Sequence, residues 1–513
     1  MSETTKPRSD RMSPYTGTVL PRGRPFWIVD GRAYDFTEWM KVHPGGAMWF
    51  RQTEGRDISA LLHTHHREPA RLREFLDRVL REELDGKTVQ PRVVVPPRAS
   101  DNPPPPPPIT EGDLLPKLGI PPFLLAPEFD ARTDLPKLDY RDQGSLLAEI
   151  RTKLNATFSK RDLKKYDRAF DVVTLIIGAA HVAALALLIA DLLPAWAFVV
   201  IMVVTRTSLA GSGHYHLHRK WKDQRRYTMP IGKALFDINY VGTSLIGSDG
   251  HVLLHHPYLG SGADVKKTFF DSMLRLHPVL RIPGYTLHKL GICLTGLPFR
   301  AREIAKFERP RWNESGAPDA IRTDFWFIRA WIVVEFVACL VTGHIVAWLV
   351  QFLITLWFNT FLVVASHDFE ESTTDELAAI PEPLRNDWAA QQIVLSYDLT
   401  IVGNRWIDLF LSAGLSPHRV HHVLPWQGSG FANLASEQTV KEVCAQVGIP
   451  WERPRNLIFE RFPAVMKHYL LCPAKPAPMP PPGPPRAQPR STFRQQVGTL
   501  ARYAVDGWRG VGV

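Results

Sequence analysis

His214-Tyr-His-Leu-His218, His251-Val-Leu-Leu-His255-His256 and His418-Arg-Val-His421-His422 decide how this chain is read. Each histidine cluster lies just beyond a long apolar stretch or close to one, and His367 closes the last of those stretches. Residues four apart share a helix face, so His214 with His218, His251 with His255 and His418 with His422 can each aim two imidazoles the same way. A lone histidine is ordinarily a surface or core residue. Three HxxxH or HxxHH clusters that fit on one side of a membrane point instead to a metal site. Its donors are imidazole nitrogens, which suit iron, zinc and copper alike. His216 sits between two of these positions but faces elsewhere on a helix, and it is left out of the set.

The apolar stretches around the clusters predict an all-α membrane domain with four transmembrane helices. Residues 172–190 amount to about one bilayer's worth of helix. Asp191-Leu-Leu-Pro194 turns tightly into a second span that runs to about Ala210. Residues 325–365 form a longer apolar block, broken at Thr342-Gly343-His344, and read as a helical hairpin. Arg206 and Arg329 are expected to snorkel from span ends, and Glu335, in mid-span, to face the protein interior or a cavity. The opening residues have no apolar core and do not read as a signal peptide, which puts the N-terminus in the cytosol. Four crossings from there bring His214, the segment after it, His367 and the 418–422 cluster to one cytosolic face. His344 falls on the opposite side. The stretches within 270–312 read as interfacial helices.

The formal charge of +10 raises the question of nucleic acid. The basic residues answer it, because they flank the apolar segments: Arg151, Lys153, Lys160, Arg161, Lys164, Lys165 and Arg168 before the first, and Arg219, Lys220, Lys222, Arg225 and Arg226 after the second. That placement serves a membrane surface. The four scattered cysteines form no CxxC pair and argue against both disulfides and a thiolate metal site. The chain divides into a disordered 1–22, a compact 23–85, a proline-rich linker 86–150 with six consecutive prolines at 103–108, a membrane domain 151–472 and a proline-rich tail 473–513 expected to be disordered. The proline run favours extended polyproline II and acts as a semi-rigid spacer.

The run Trp27-Ile-Val-Asp-Gly-Arg-Ala-Tyr-Asp-Phe36, followed by His43-Pro-Gly-Gly46, resembles cytochrome b5. The resemblance implies a small α+β domain holding haem b between His43 and a downstream histidine. Two axial imidazoles leave the iron no open position, so it carries electrons instead of binding oxygen. Counting nine residues from Asp57 gives His66 as the second ligand, while counting from His43 as in many fused members gives His65.

Residues 165–470 resemble the membrane fatty-acid desaturase and hydroxylase superfamily, through Gly213 to Arg219, Gly250 to Pro257 and His418 to Pro425. The resemblance implies two iron ions held by His214, His218, His251, His255, His256, His418, His421 and His422, with His367 as a ninth ligand. It also implies O2-dependent desaturation of a long-chain fatty acyl lipid, electrons arriving from an NADH-cytochrome b5 reductase through the fused haem domain. In a eukaryote such a protein would lie in the endoplasmic reticulum membrane, its catalytic face cytosolic. The haem domain would swing on its tether to reach the irons. Three departures from the front-end desaturase pattern keep hydroxylation or acetylenic-bond formation open as alternatives. His418 stands in place of glutamine, Tyr215 in place of aspartate, and the second cluster has three intervening residues instead of two. A haem-binding membrane adaptor with structural zinc is the alternative outside enzymes, although zinc needs only four ligands and usually recruits cysteine.

Overall fold

The computed structural model describes residues 145–219, 228–241, 318–367, 373–474 and 493–508 continuously, with separate stretches of the N-terminal domain and of 251–294. In the N-terminal domain, β1 (Trp27–Val29), β2 (Arg32–Asp35), helix α1 (Ser59–His65) and β3 (Arg92–Val95) are formed. The strands make an antiparallel sheet in the order β1-β2-β3, with Trp27 opposite Tyr34. Alternate residues face one side of a strand, and Trp27, Val29, Tyr34 and Phe36 all turn into a small core with Phe50, Ile58 and Leu62. Trp27 Nε1 donates to Phe50 O at 2.7 Å. β3 comes from the segment expected to be linker. The expected disordered 1–22 and the proline run 103–108 lie outside the described residues.

The helical domain begins with α2 (Leu146–Thr157) and α3 (Lys160–Ile189). A capping box starts α3: Ser159 Oγ accepts from Asp162 N, and the Asp162 carboxylate accepts from Ser159 N. At 1.5 Å per residue α3 is about 45 Å long, more than a bilayer core. Its basic first turns therefore extend beyond the apolar stretch, where Leu175 and Ile176 are exposed. Asp191, at a positive φ of 56°, turns the chain into α4 (Ala195–His218). α4 is the hub, packed on α3, on α5 (Thr228–Asp237) and on the later hairpin, and buried all round from Thr205 to His218. Close approach is made possible by Gly211 and Gly213, where a Cβ would lie 2.4 Å from the Ala413 carbonyl carbon and 2.3 Å from Phe236 N. α6 (Pro278–Gly291) is amphipathic, with Val279, Ile282 and Leu287 exposed.

α7 (Pro318–Val341) and α8 (Ile345–Ala365) form the second hairpin, turned at Gly343 (φ 81°). Among the described residues three helices, α3, α4 and α8, are long and apolar enough to cross a membrane. The corresponding apolar part of α7 is the shorter stretch Ala330–Val341. Beyond them come α9 (Trp388–Val394), α10 (His418–Val423) and α11 (Gly430–Gln446), which share a second core with α2 through Ile150, Leu154, Trp388, Val420 and Val440.

Two expectations are corrected. Arg206 does not snorkel: it is fully buried and ion-paired with Glu335, which the helices hold in the interior as expected. Its Nη1 also donates to Ile238 O at 2.7 Å, and its guanidinium lies over the Tyr240 ring. Glu335 sits on α7 and the other two partners in the turn after α5, so the charge is neutralised inward instead of reaching for water. The tail, expected to be disordered throughout, contains α12 (Phe493–Trp508), packed on α6 with Trp508 against Gly291 and Leu500 near Gly284. The proline-rich composition ends before this segment, which places Leu500, Ala504 and Trp508 on one helical face.

Candidate metal centre

With the three histidine clusters numbered as boxes one (His214–His218), two (His251–His256) and three (His418–His422), the ends of α4 and α8, the turn around box two and α10 bring the histidines into two adjoining groups. His214, His218, His251, His256 and His421 offer ring nitrogens that all lie within 4.8 Å of one another, and His255, His367 and His422 do the same. The groups touch, the His256 and His422 rings being 4.3 Å apart. His418 stands beside the second group, its ring 4.5 Å from His422 and 4.6 Å from His367. Nitrogens face one another directly: His214 Nε2 is 2.6 Å from His251 Nε2, and His255 Nε2 is 3.0 Å from His367 Nε2. His216 is directed elsewhere, its Nε2 lying 3.5 Å from Asp171 Oδ1. His344 is far off, in the turn between α7 and α8 and against Asp191 of the other turn.

Local geometry explains the division. His214 and His218, one helical turn apart at the end of α4, join the same group. His251 and His255 are also four apart but contribute to different groups. His256 N bonds His251 O at 3.1 Å, the five-residue closure of a π-type turn, and such turns recur at functional sites. In α10 the i,i+4 pair His418 and His422 faces the second group, while His421 faces the first.

Several residues that sequence reasoning did not single out fix these rings. Ser366 O accepts from His418 Nδ1 at 3.2 Å, and Gln392 Oε1 pairs with His422 Nδ1 at 2.8 Å. A carbonyl can only accept, so each Nδ1 carries the proton and Nε2 keeps its lone pair. Arg461 bonds Ala365 O and His367 O at 2.7 and 2.6 Å. Arg419 anchors α10, its backbone N–H bonding Asp398 and its guanidinium the carbonyls of Ile393, Ser396 and Glu452. An arginine inside a histidine motif was the one sequence signal of such a lock.

The donor set fits a metal. His422 Nε2 is buried and has no hydrogen-bond partner among the described residues. His251, His256 and His422 are held well below the usual histidine range, first by burial and then by neighbouring imidazoles. The neutral imidazole that results is the form that binds metal. Imidazole nitrogens grouped in two adjoining sets offer two cation positions.

A second site lies in the N-terminal domain. The His43 and His66 rings are 6.1 Å apart, and His43 also packs on Phe50. His66 Nδ1 donates to Leu62 O at 2.7 Å, leaving Nε2 with its lone pair. His65 pairs through Nδ1 with Thr64 Oγ1 instead. Burial, then the neighbouring His66 charge, pushes His65 down to about 3.

The fatty acid desaturase family model matches residues 150–454, more than half of the chain, and the chain belongs to that family. The model for the cytochrome b5-like heme/steroid binding domain matches residues 19–85. The chain is thus a cytochrome b5-fused protein of the fatty acid desaturase family. Over 40 residues it is 45% identical to a cytochrome b5-related protein of Drosophila virilis, covering 8% of this chain and 28% of that one. A cytochrome b5-related protein of Drosophila melanogaster is 42% identical over 40 residues, 8% of this chain and 9% of that one. The chain thus spans less than a third of either relative. No solved structure matches it.

Proposed function

We propose that the protein catalyses O2-dependent desaturation of a long-chain fatty acyl lipid at a di-iron centre. The observation behind this reading is the convergence of histidines from all three boxes and from His367 into two adjoining groups. In it, His214, His218, His251, His256 and His421 hold one iron, and His255, His367, His418 and His422 the other. Two irons so held would supply the activation of dioxygen toward an unactivated C–H bond. His43 and His66 hold haem b in the domain spanning 23–85, with His65 as the reserve ligand. An NADH-cytochrome b5 reductase supplies the electrons.

The chain's own groups do the positioning. Gln392 and Ser366 orient His422 and His418, and Arg461 orients the His367 backbone. We place α7 as the fourth span, giving four crossings and a cytosolic catalytic face, in the endoplasmic reticulum if the cell is eukaryotic. The hydroxylase or acetylenase reading is kept as a second one because of Tyr215. It stands, fully buried, where front-end desaturases have aspartate, its ring 5.7 Å from His214 and its hydroxyl donating to Gly414 O.

Metal analysis of the purified protein, joined to lipid profiling of an expressing host, tests both readings. About two irons beyond haem and a new double bond support desaturation, and a hydroxylated product supports the second reading. Zinc in place of iron would sink both.

A further inference from the structure

We propose that α1 is a docking element that seats the haem domain on α2 beside the histidine centre, with Arg151 and Arg67 as its latch. The inference rests on the haem and di-iron reading above.

α1 belongs to two cores at once. Ile58 and Leu62, four apart, close the haem-domain core, while Ala60 and Leu61 pack into the core of the helical domain. The carbonyls at its C-terminal end, His63 O and Thr64 O, accept from Arg151 Nη2 of α2, 88 and 87 residues away. Arg151 is only 4% exposed, and a cation there complements the negative end of the helix. Just beyond α1, Arg67 reaches the other way. Its Nε donates to Asn155 Oδ1 at 2.7 Å, its Nη2 to Phe158 O at 2.8 Å, and its guanidinium lies over the Trp426 ring four residues past His422. Glu68 and Lys160 pair at 2.7 Å on the rim.

The latch fixes what lies between the two sites. His66 faces His43 across the haem position, one residue before Arg67, whose guanidinium lies over Trp426 just past the third histidine cluster. The latch thus supplies a docked pose, where the sequence suggested a domain swinging between encounters. The step served takes one electron from ferrous haem iron, leaving it ferric, and reduces one ferric ion held by the histidines to ferrous. The reductase restores the haem, and no bond or proton at the latch changes.

The test uses the full-length holoprotein and two variants. Arg151→Ala removes the buried latch. Asn155→Ala with Lys160→Glu removes only exposed partners and guards against misfolding of the first. A hydrogen bond to a charged group contributes about 1.5–3 kcal/mol, so amide exchange across residues 59–65 should quicken roughly tenfold or more. Oxidation of pre-reduced haem after adding dioxygen and lipid should slow by a similar factor, with the reduced haem spectrum unchanged. Unchanged exchange in both variants would overturn the latch, and faster exchange with an unchanged oxidation rate would overturn the docked pose as the transfer pose. Wild-type protein without iron beyond haem would instead overturn the underlying functional reading, a result separable from the exchange data.

Discussion

At the residue scale, the ligand and its orienting partner have separable effects. His422→Ala should abolish product and lower the iron content, because His422 Nε2 is buried with no other partner among the described residues. Gln392→Leu keeps the imidazole but removes the acceptor at its Nδ1. Loss of such a partner typically weakens metal affinity about 10- to 100-fold, which a competition titration with a chelator would measure. His216→Ala should retain both iron and product, since its ring is directed to Asp171. Full iron loading in His422→Ala would remove box three from the metal site. The histidines themselves were legible because imidazoles recur at fixed spacing. Gln392, Ser366 and Arg461 were not, because each acts from a segment remote in sequence and its contribution depends on tertiary approach.

At the scale of elements, α4 depends on being thin where it passes its neighbours. Gly211→Ala and Gly213→Ala would each drive a Cβ into backbone atoms, which cannot yield as a flexible side-chain tip does. Overpacking of this kind costs about 1–3 kcal/mol, so both variants should melt earlier in detergent and lose iron with the displacement of box one. Gly178→Ala on α3 meets nothing within 4 Å and should be neutral or slightly stabilising. An unchanged melting temperature in Gly213→Ala would refute the tight α4–α5 packing. The helical hairpins were readable from apolar runs and from the turns at Asp191 and Gly343. The split of His251 and His255 between groups was not, since it arises from a π-type turn that a regular helical spacing hides. α12 escaped notice because the proline-rich stretch before it set the composition of the whole tail.

Across the whole molecule, the four-crossing arrangement expects tags near Asn102, after Arg226 and after Pro473 all to be reachable from the cytosol in selectively permeabilised cells. A lumenal tag at any of them would break it. The buried group of Arg206, Glu335 and His181, with His181 Nε2 2.9 Å from Glu335 Oε1, joins helices that leave the ribosome at different times. Arg206 on α4 is synthesised more than a hundred residues before Glu335 on α7. A charge at the centre of a lone helix opposes insertion by about 2.5–3.5 kcal/mol, so the first hairpin must wait, partly committed, until the second arrives to neutralise it. Removing one partner from a buried pair typically costs about 3–5 kcal/mol, whereas replacing both by apolar residues is often neutral. Glu335→Leu should therefore be captured by quality control and degraded quickly in a pulse-chase experiment, while Arg206→Leu with Glu335→Leu should live longer. Equal lifetimes would refute the dependence. The assembly line of the membrane, and not the finished enzyme alone, thus bears on why this ion pair is spread across two hairpins: it makes the second half of the chain the proofreader of the first.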